Sequence, residues 1–191
     1  SRPYPVPPLP LKSSGALFQR AAEKLKLTVV PNVAAIITEP YRGRGACIQC
    51  GMCSGYGCQT KARSSSAVSL LPYAEATGNC EIRAWSYVRE ISVDAGGKCT
   101  GAVYFEKKNN NREVFQKAKV VVLAANGTET PRLLLLSASN RFPQGLANSS
   151  GIVGRYLMTG NGGGAHGLFS DPLNEYKGCV TGAAILDYVP N

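Results

Sequence analysis

Apolar residues recur at helical spacing early in the chain, where Leu17, Phe18, Ala21, Ala22 and Leu25 share one face of a helix running to about Lys26. Ser13 and Ser14 offer its N-cap. Ahead of it, Pro3, Pro5, Pro7, Pro8 and Pro10 keep residues 1–12 extended, as a linker or arm. Short strands are predicted at 28–30 and 35–38, and a second helix over 65–71 stops at Pro72. From Glu81 the pattern becomes β-rich, with runs at 82–85, 87–93, 100–106 and 112–116. They are separated by Gly96-Gly97 and by Asn109-Asn110-Asn111, turn residues that tolerate positive φ and so predict antiparallel hairpins, a β-meander. The uninterrupted apolar run at 120–125 suits a strand buried on both faces of a parallel sheet. A helix over 130–137 follows, with Thr130 as N-cap and Pro131 in its first turn. From Asn148 onward the chain is glycine-rich and loop-like. The fold class is α/β, divided into regions 1–80, 81–140 and 141–191.

Composition removes whole classes. With 44% hydrophobic residues in 191, the chain is not disordered as a whole. Its longest apolar run, 120–125, and others such as 133–136 are too short to cross a bilayer as a helix. The opening Ser1-Arg2-Pro3-Tyr4-Pro5 has neither a basic leader with an apolar core nor an initiating Met, so the chain is expected to be a piece of something longer. Lys and Arg number 21 against 12 Asp and Glu, a formal charge of +9 that would suit an acidic partner. The basic residues are scattered, however, without a stripe of interleaved aromatics, which disfavours nucleic acid. Solvated surfaces balanced by a remainder of the protein account for the charge equally well.

Four of seven cysteines crowd together as Cys47-x2-Cys50-x2-Cys53-x4-Cys58, in a loop that also holds Gly51, Gly55 and Gly57. An odd count argues against a closed disulfide framework. Three readings stay open. Thiolates in a C-x2-C-x2-C run open ferredoxin-type iron–sulfur segments, although the x4 gap and the lack of a C-P step depart from them. Four thiolates also suffice for a structural zinc ion. Free thiols or a local disulfide is the third. Lys61 and Arg63 flank the loop and could offset thiolate charge, or belong to a solvated basic stretch. Cys80, Cys99 and Cys179 read as buried small hydrophobes.

The strand-turn-helix at 120–136 ends its apolar run in Ala124-Ala125-Asn126-Gly127, small residues that let backbone approach a ligand at the strand's carboxyl end. An ordinary crossover without a ligand has the same pattern. Taken whole, Ala125-Asn126-Gly127-Thr128-Glu129-Thr130-Pro131-Arg132-Leu133-Leu134-Leu135-Leu136-Ser137 resembles the second flavin-binding signature of the glucose-methanol-choline (GMC) oxidoreductases. Pro5-x-Pro7-Pro8-Leu9-Pro10 with its helix, and Gly154-Arg155-Tyr156-Leu157-Met158, are similar to further segments of that family. The cysteine loop ahead of the meander is closest to the gluconate- and glucose-type dehydrogenases. Asn126 stands where the family usually has Gly, and Gly127 where it has a small residue.

The resemblance implies part of an FAD/NAD(P)-binding-type domain with a β-meander, an irregular cysteine-rich loop and the start of a substrate-domain segment. It implies FAD contacts at Ala125, Asn126, Gly127, Thr130 and Pro131, and oxidation of CH–OH groups of sugars or alcohols. It shifts the cysteine loop toward an iron–sulfur cluster, with three of Cys47, Cys50, Cys53 and Cys58 as ligands and a cytochrome subunit as electron acceptor. The family's G-x-G-x-x-G phosphate turn is expected before residue 1, and its catalytic His pair, or His and Asn, after residue 191. His166, the only histidine, does not take that role. The chain is therefore expected to be catalytically inert alone, to hold FAD weakly or not at all, and to depend on the remainder of the enzyme. Asn126-Gly127-Thr128 and Asn148-Ser149-Ser150 are sequons, but no glycan is assigned and Asn126 is expected in a buried turn. The rival reading is a zinc-binding module that contacts an acidic partner or nucleic acid.

Overall fold

The computed structural model describes residues 3–160, 162–179 and 182–188. In chain order the elements are α1 (Ser13–Lys24), β1 (Val29–Pro31), α2 (Ser66–Ser69), α3 (Leu71–Ala76), β2 (Ser86–Val93), β3 (Cys99–Glu106), β4 (Arg112–Lys117), α4 (Asn126–Leu136) and β5 (Ala183–Ile185). They fall into two compact units: residues to Glu81 together with those from Ala165, and Ile82–Gly164. Among the described residues no helix is long and apolar enough to cross a membrane.

In the first unit, β1 and β5 form an antiparallel ribbon in which Val29 faces Ile185, and α1 packs on it. The expected serine cap of α1 is not made. Lys12 occupies the N-cap without a side-chain bond, and the Ser14 N–H is instead taken by the Glu175 carboxylate at 2.8 Å. A helix's first N–H groups need an acceptor from somewhere, and here it arrives from the far end of the chain. The apolar face of α1 is also less buried than its spacing suggests: Ala22 is covered, but Phe18 and Leu25 are 43% and 70% exposed. A three-residue-wide ribbon is too narrow to cover a three-turn helix. The predicted strand at 35–38 reduces to a bridge between Ile36 and Arg63. Pro72 does not end a helix but lies in the first turn of α3, where its missing N–H would be unpaired anyway. The proline-rich arm is docked rather than loose. Thr38 Oγ1 donates to Pro7 O at 2.7 Å, and Tyr4–Leu9 wall an apolar hollow of about 540 Å³ against residues 30–37.

The second unit is the predicted meander, a three-stranded antiparallel sheet ordered β2-β3-β4. Tyr87 pairs with Phe105 and Ile91 with Ala102; the register shifts once at Arg89 of β2 and once at Thr100 of β3. The run 82–85 stays outside the sheet, since Trp85 at φ 61° turns the chain into β2. Ile91, Val103 and Tyr104 are buried, as is Leu133 of α4, which lies on β2. Asn148, in the second sequon, is buried too; its amide bonds Gln144 O at 2.8 Å and the Val153 N–H at 3.0 Å, a structural role.

Residues 120–125 do not form the expected strand. They are coil without a ladder partner, ending in a bend at Ala125, and Val120 and Val122 are 75% and 82% exposed. A strand buried on both faces needs neighbours to take its N–H and C=O groups, and the described residues of this unit supply none.

One buried hydroxyl fixes α4 to the sheet. Ser137 Oγ accepts the Ile91 N–H at 2.8 Å and donates to Leu133 O at 2.7 Å, and the residue is 3% exposed. Ser137→Ala leaves the Ile91 amide unpaired in the interior, so urea unfolding should show a loss of about 1–3 kcal/mol. A midpoint unchanged by the substitution would mean the bond carries no net stability.

Candidate functional site

The turn that carries the flavin-type signature is built by Asn126. At φ 70° it reverses the chain, and its Oδ1 accepts the N–H groups of Thr128 and Glu129 at 2.8 and 3.0 Å. Asparagine is among the few non-glycine residues that tolerate this conformation, because its short amide bonds locally. The helix therefore starts four residues before Thr130. Thr130 lies inside it, and its Oγ1 reaches back to accept the Ala125 N–H at 3.2 Å. Pro131 is the sixth residue of the helix and not in its first turn as expected, so the N–H it lacks removes the bond that Gly127 O would otherwise accept. Asn126 is exposed, against the expectation of a buried turn.

Beside the turn lies an open hollow of about 500 Å³, walled by the apolar backbone of Val121–Ala125 and by Tyr87, Glu129 and Arg132. A side chain added at Gly127 would meet nothing within 4 Å. Arg132 is held in place: its Nε and Nη2 reach Glu129 Oε2, both at 2.7 Å, and Nη2 donates to the Tyr87 hydroxyl at 2.6 Å. Its guanidinium also stacks over the Tyr87 ring at 5.6 Å. Small residues at Ala124 and Ala125, an open and largely apolar wall, and a rim made of the Tyr87 ring and the Arg132–Glu129 ion pair fit one side of a planar cofactor such as FAD. Of Ala125, Asn126, Gly127, Thr130 and Pro131, Ala125 lines the hollow, and the other four lie in the first six residues of α4 without lining it. Tyr87, Glu129 and Arg132 were missed, although the Glu129 and Arg132 pair at i,i+3 spacing on one helix was visible.

Gly162, Gly164 and Gly167 do repeat the G-x-G-x-x-G spacing, but the described residues around them are coil, with neither a strand before nor a helix after. The spacing alone makes no phosphate cradle. His166 in that segment is exposed.

The cysteine loop does not point its four thiols at one centre. Cys58 Sγ accepts the Arg63 N–H at 3.5 Å and lies 3.5 Å from Thr60 Oγ1, while Cys47 Sγ accepts the Gln49 N–H at 3.4 Å. Cys53 has Cys179 as its hydrogen-bonding neighbour, with Cys47 and Cys50 near enough to help raise its pKa, so Cys179 is not the buried small hydrophobe expected. Among the described residues no three His, Cys, Asp or Glu side chains gather so as to hold a metal ion, and no disulfide joins any of the cysteines. With Cys58 held apart by Arg63 and Thr60, the four thiols Cys47, Cys50, Cys53 and Cys58 do not share one centre as folded, and neither an iron–sulfur cluster nor tetrahedral zinc gains support. Of the two flanking cations, Arg63 acts mainly through its backbone amide and a side-chain bond to Cys53 O, and Lys61 is exposed.

A meander returning to this turn and helix defines one wall of a flavin-type binding domain, and comparison with known proteins agrees. The GMC oxidoreductase family matches residues 16–159, and the chain belongs to that family. It is 40% identical over 152 residues to 2-methyl-1,2-propanediol dehydrogenase of Mycolicibacterium austroafricanum, covering 80% of this chain and 27% of that protein. It is 31% identical over 186 residues to the fructose dehydrogenase large subunit of Gluconobacter japonicus, covering 97% and 33%. Paromamine 6'-oxidase of Streptomyces fradiae is 26% identical over 151 residues, covering 79% and 28%. The chain thus spans about a third or less of the length of these relatives, and the zinc-module reading gains no support from them.

The thiols of the loop differ in a way that alkylation can read. Backbone bonding from Arg63, helped by Thr60, pulls the Cys58 thiol below its ordinary pKa, whereas burial and then Cys179 push Cys53 above it. The thiolate is the reactive form. Site-resolved iodoacetamide labelling across a pH series should therefore show Cys58 reaching half its maximal rate at lower pH than Cys53. The reverse order would contradict this geometry.

Proposed function

We propose that this chain is part of an FAD-dependent dehydrogenase that oxidises a CH–OH group of a sugar or alcohol, and that it supplies one wall of the flavin site. The observation that carries the reading is the open, largely apolar hollow walled by Val121–Ala125 where the signature begins, with Arg132 pinned on its rim. The names of the relatives, a diol dehydrogenase and a fructose dehydrogenase subunit among them, support the substrate class.

Bound there, FAD supplies a two-electron acceptor for a hydride from carbon. The residues of this chain hold and orient it. Asn126 keeps the turn closed, Gly127 leaves the approach open, and Arg132, fixed by Glu129 and Tyr87, places a positive charge beside the wall. An external electron acceptor, for which a cytochrome subunit is one candidate, would be needed to reoxidise the flavin. The cysteine loop is given no step in this path. The exposed apolar run at Val120 and Val122 is read as a sheet strand whose neighbours come from further polypeptide.

Anaerobic mixing of the longer flavin-loaded protein with a panel of sugars, diols and polyols tests the reading. At least one should bleach the oxidised flavin band, with turnover once an artificial electron acceptor is added. A protein that binds no flavin, or whose flavin no alcohol reduces, would overturn it.

A further inference from the structure

The segment carrying Cys179 is bound to the cysteine loop more closely than a passing surface loop would be. Gly51 adopts φ 77°, and a Cβ there would collide with the carbonyl oxygen of Tyr176, so only glycine admits this approach. Gly178, at φ 84° and buried, lies against Gln49, whose Oε1 would be 3.0 Å from an added Cβ. The same segment is anchored at its other side. Lys12 Nζ donates to the carbonyls of Glu175 and Lys177 at 2.8 and 2.9 Å and pairs with the Glu175 carboxylate at 3.2 Å. That carboxylate also takes the Ser14 N–H. The contact between the Cys53 and Cys179 thiols is thus held from both sides by backbone that cannot easily drift.

We propose that Cys53 and Cys179 are a thiol pair that closes to a disulfide, locking the 174–179 segment across the cysteine loop. The step balances with a low-molecular-weight disulfide such as glutathione disulfide as oxidant. One cysteine thiolate attacks a sulfur of that disulfide and releases one small thiol. The second cysteine, after losing its proton, then displaces the other small thiol from the mixed disulfide. Two protein thiols are oxidised by two electrons, and one small disulfide becomes two thiols. The pair does not depend on the flavin reading, since both cysteines lie in the first unit and the flavin-type turn in the second. Cys58, bonded to Arg63 and Thr60, stands outside it.

Peptide mapping without reduction, on the full-length protein incubated with glutathione disulfide, tests the proposal. A peptide linking Cys53 to Cys179 should appear as the principal cross-link. Cys179→Ser should abolish it and leave Cys53 as a mixed disulfide, while Cys58→Ser should leave it unchanged. A Cys53 linked to Cys47 or Cys50 instead would overturn the proposal. So would a Cys53 that stays unreactive in protein containing stoichiometric iron and labile sulfide, which would mark it as a cluster ligand. The wild-type map alone decides between these outcomes, so the result does not hang on the folding of a variant.

Discussion

The placement of the candidate site rests on a buried hydroxyl. Ser137 closes α4 by bonding back to Leu133 and at the same time satisfies the Ile91 amide of β2. Without that double bond the helix would meet the sheet through Leu133 and side-chain contact alone, and its axis would not be fixed relative to the meander. Because β2 also presents Tyr87, fixing the axis fixes the distance between Tyr87 and Arg132 one end away. The open wall beside the turn, the rim charge and the approach over Gly127 all follow from that register.

The first unit obeys a different constraint, close backbone approach. Gly51 and Gly178 let two loops far apart in sequence meet without Cβ atoms between them, and Lys12 with Glu175 ties the later loop to the start of α1. The carboxylate takes the helix's unpaired N–H, so its acid form is disfavoured and its pKa lies below the usual range. That contribution is present above the ordinary carboxylate pKa and is lost as pH falls through the lowered one. The same anchoring decides which thiols meet.

Local pattern made some of this legible and could not reach the rest. The meander was readable because alternating runs and turn residues are short-range signals, and β2, β3 and β4 fall where they predicted. The turn residues Ala125 to Pro131 were readable by resemblance, though the helix start was misplaced because Asn126 caps from a positive φ that no spacing rule marks. The run at 120–125 looked like a buried strand, and its composition still says so. Burial is a property of neighbours, and here Val120 and Val122 face solvent. Cys179 was invisible as a partner of Cys53, since nothing in a glycine-rich segment announces which distant loop it will touch. Cys58, adjacent in sequence, was grouped with the wrong thiols for the same reason.

Hydrogen exchange across 120–131 in the longer protein, with flavin bound and with flavin stripped, tests the central claim most directly. If the turn is a wall of the flavin site, the amides of Ala125, Asn126 and Gly127 should exchange markedly more slowly when flavin is bound, while those of β3 stay as they were. Exchange in this turn that is the same in both states, in a protein shown to hold flavin, would contradict the account.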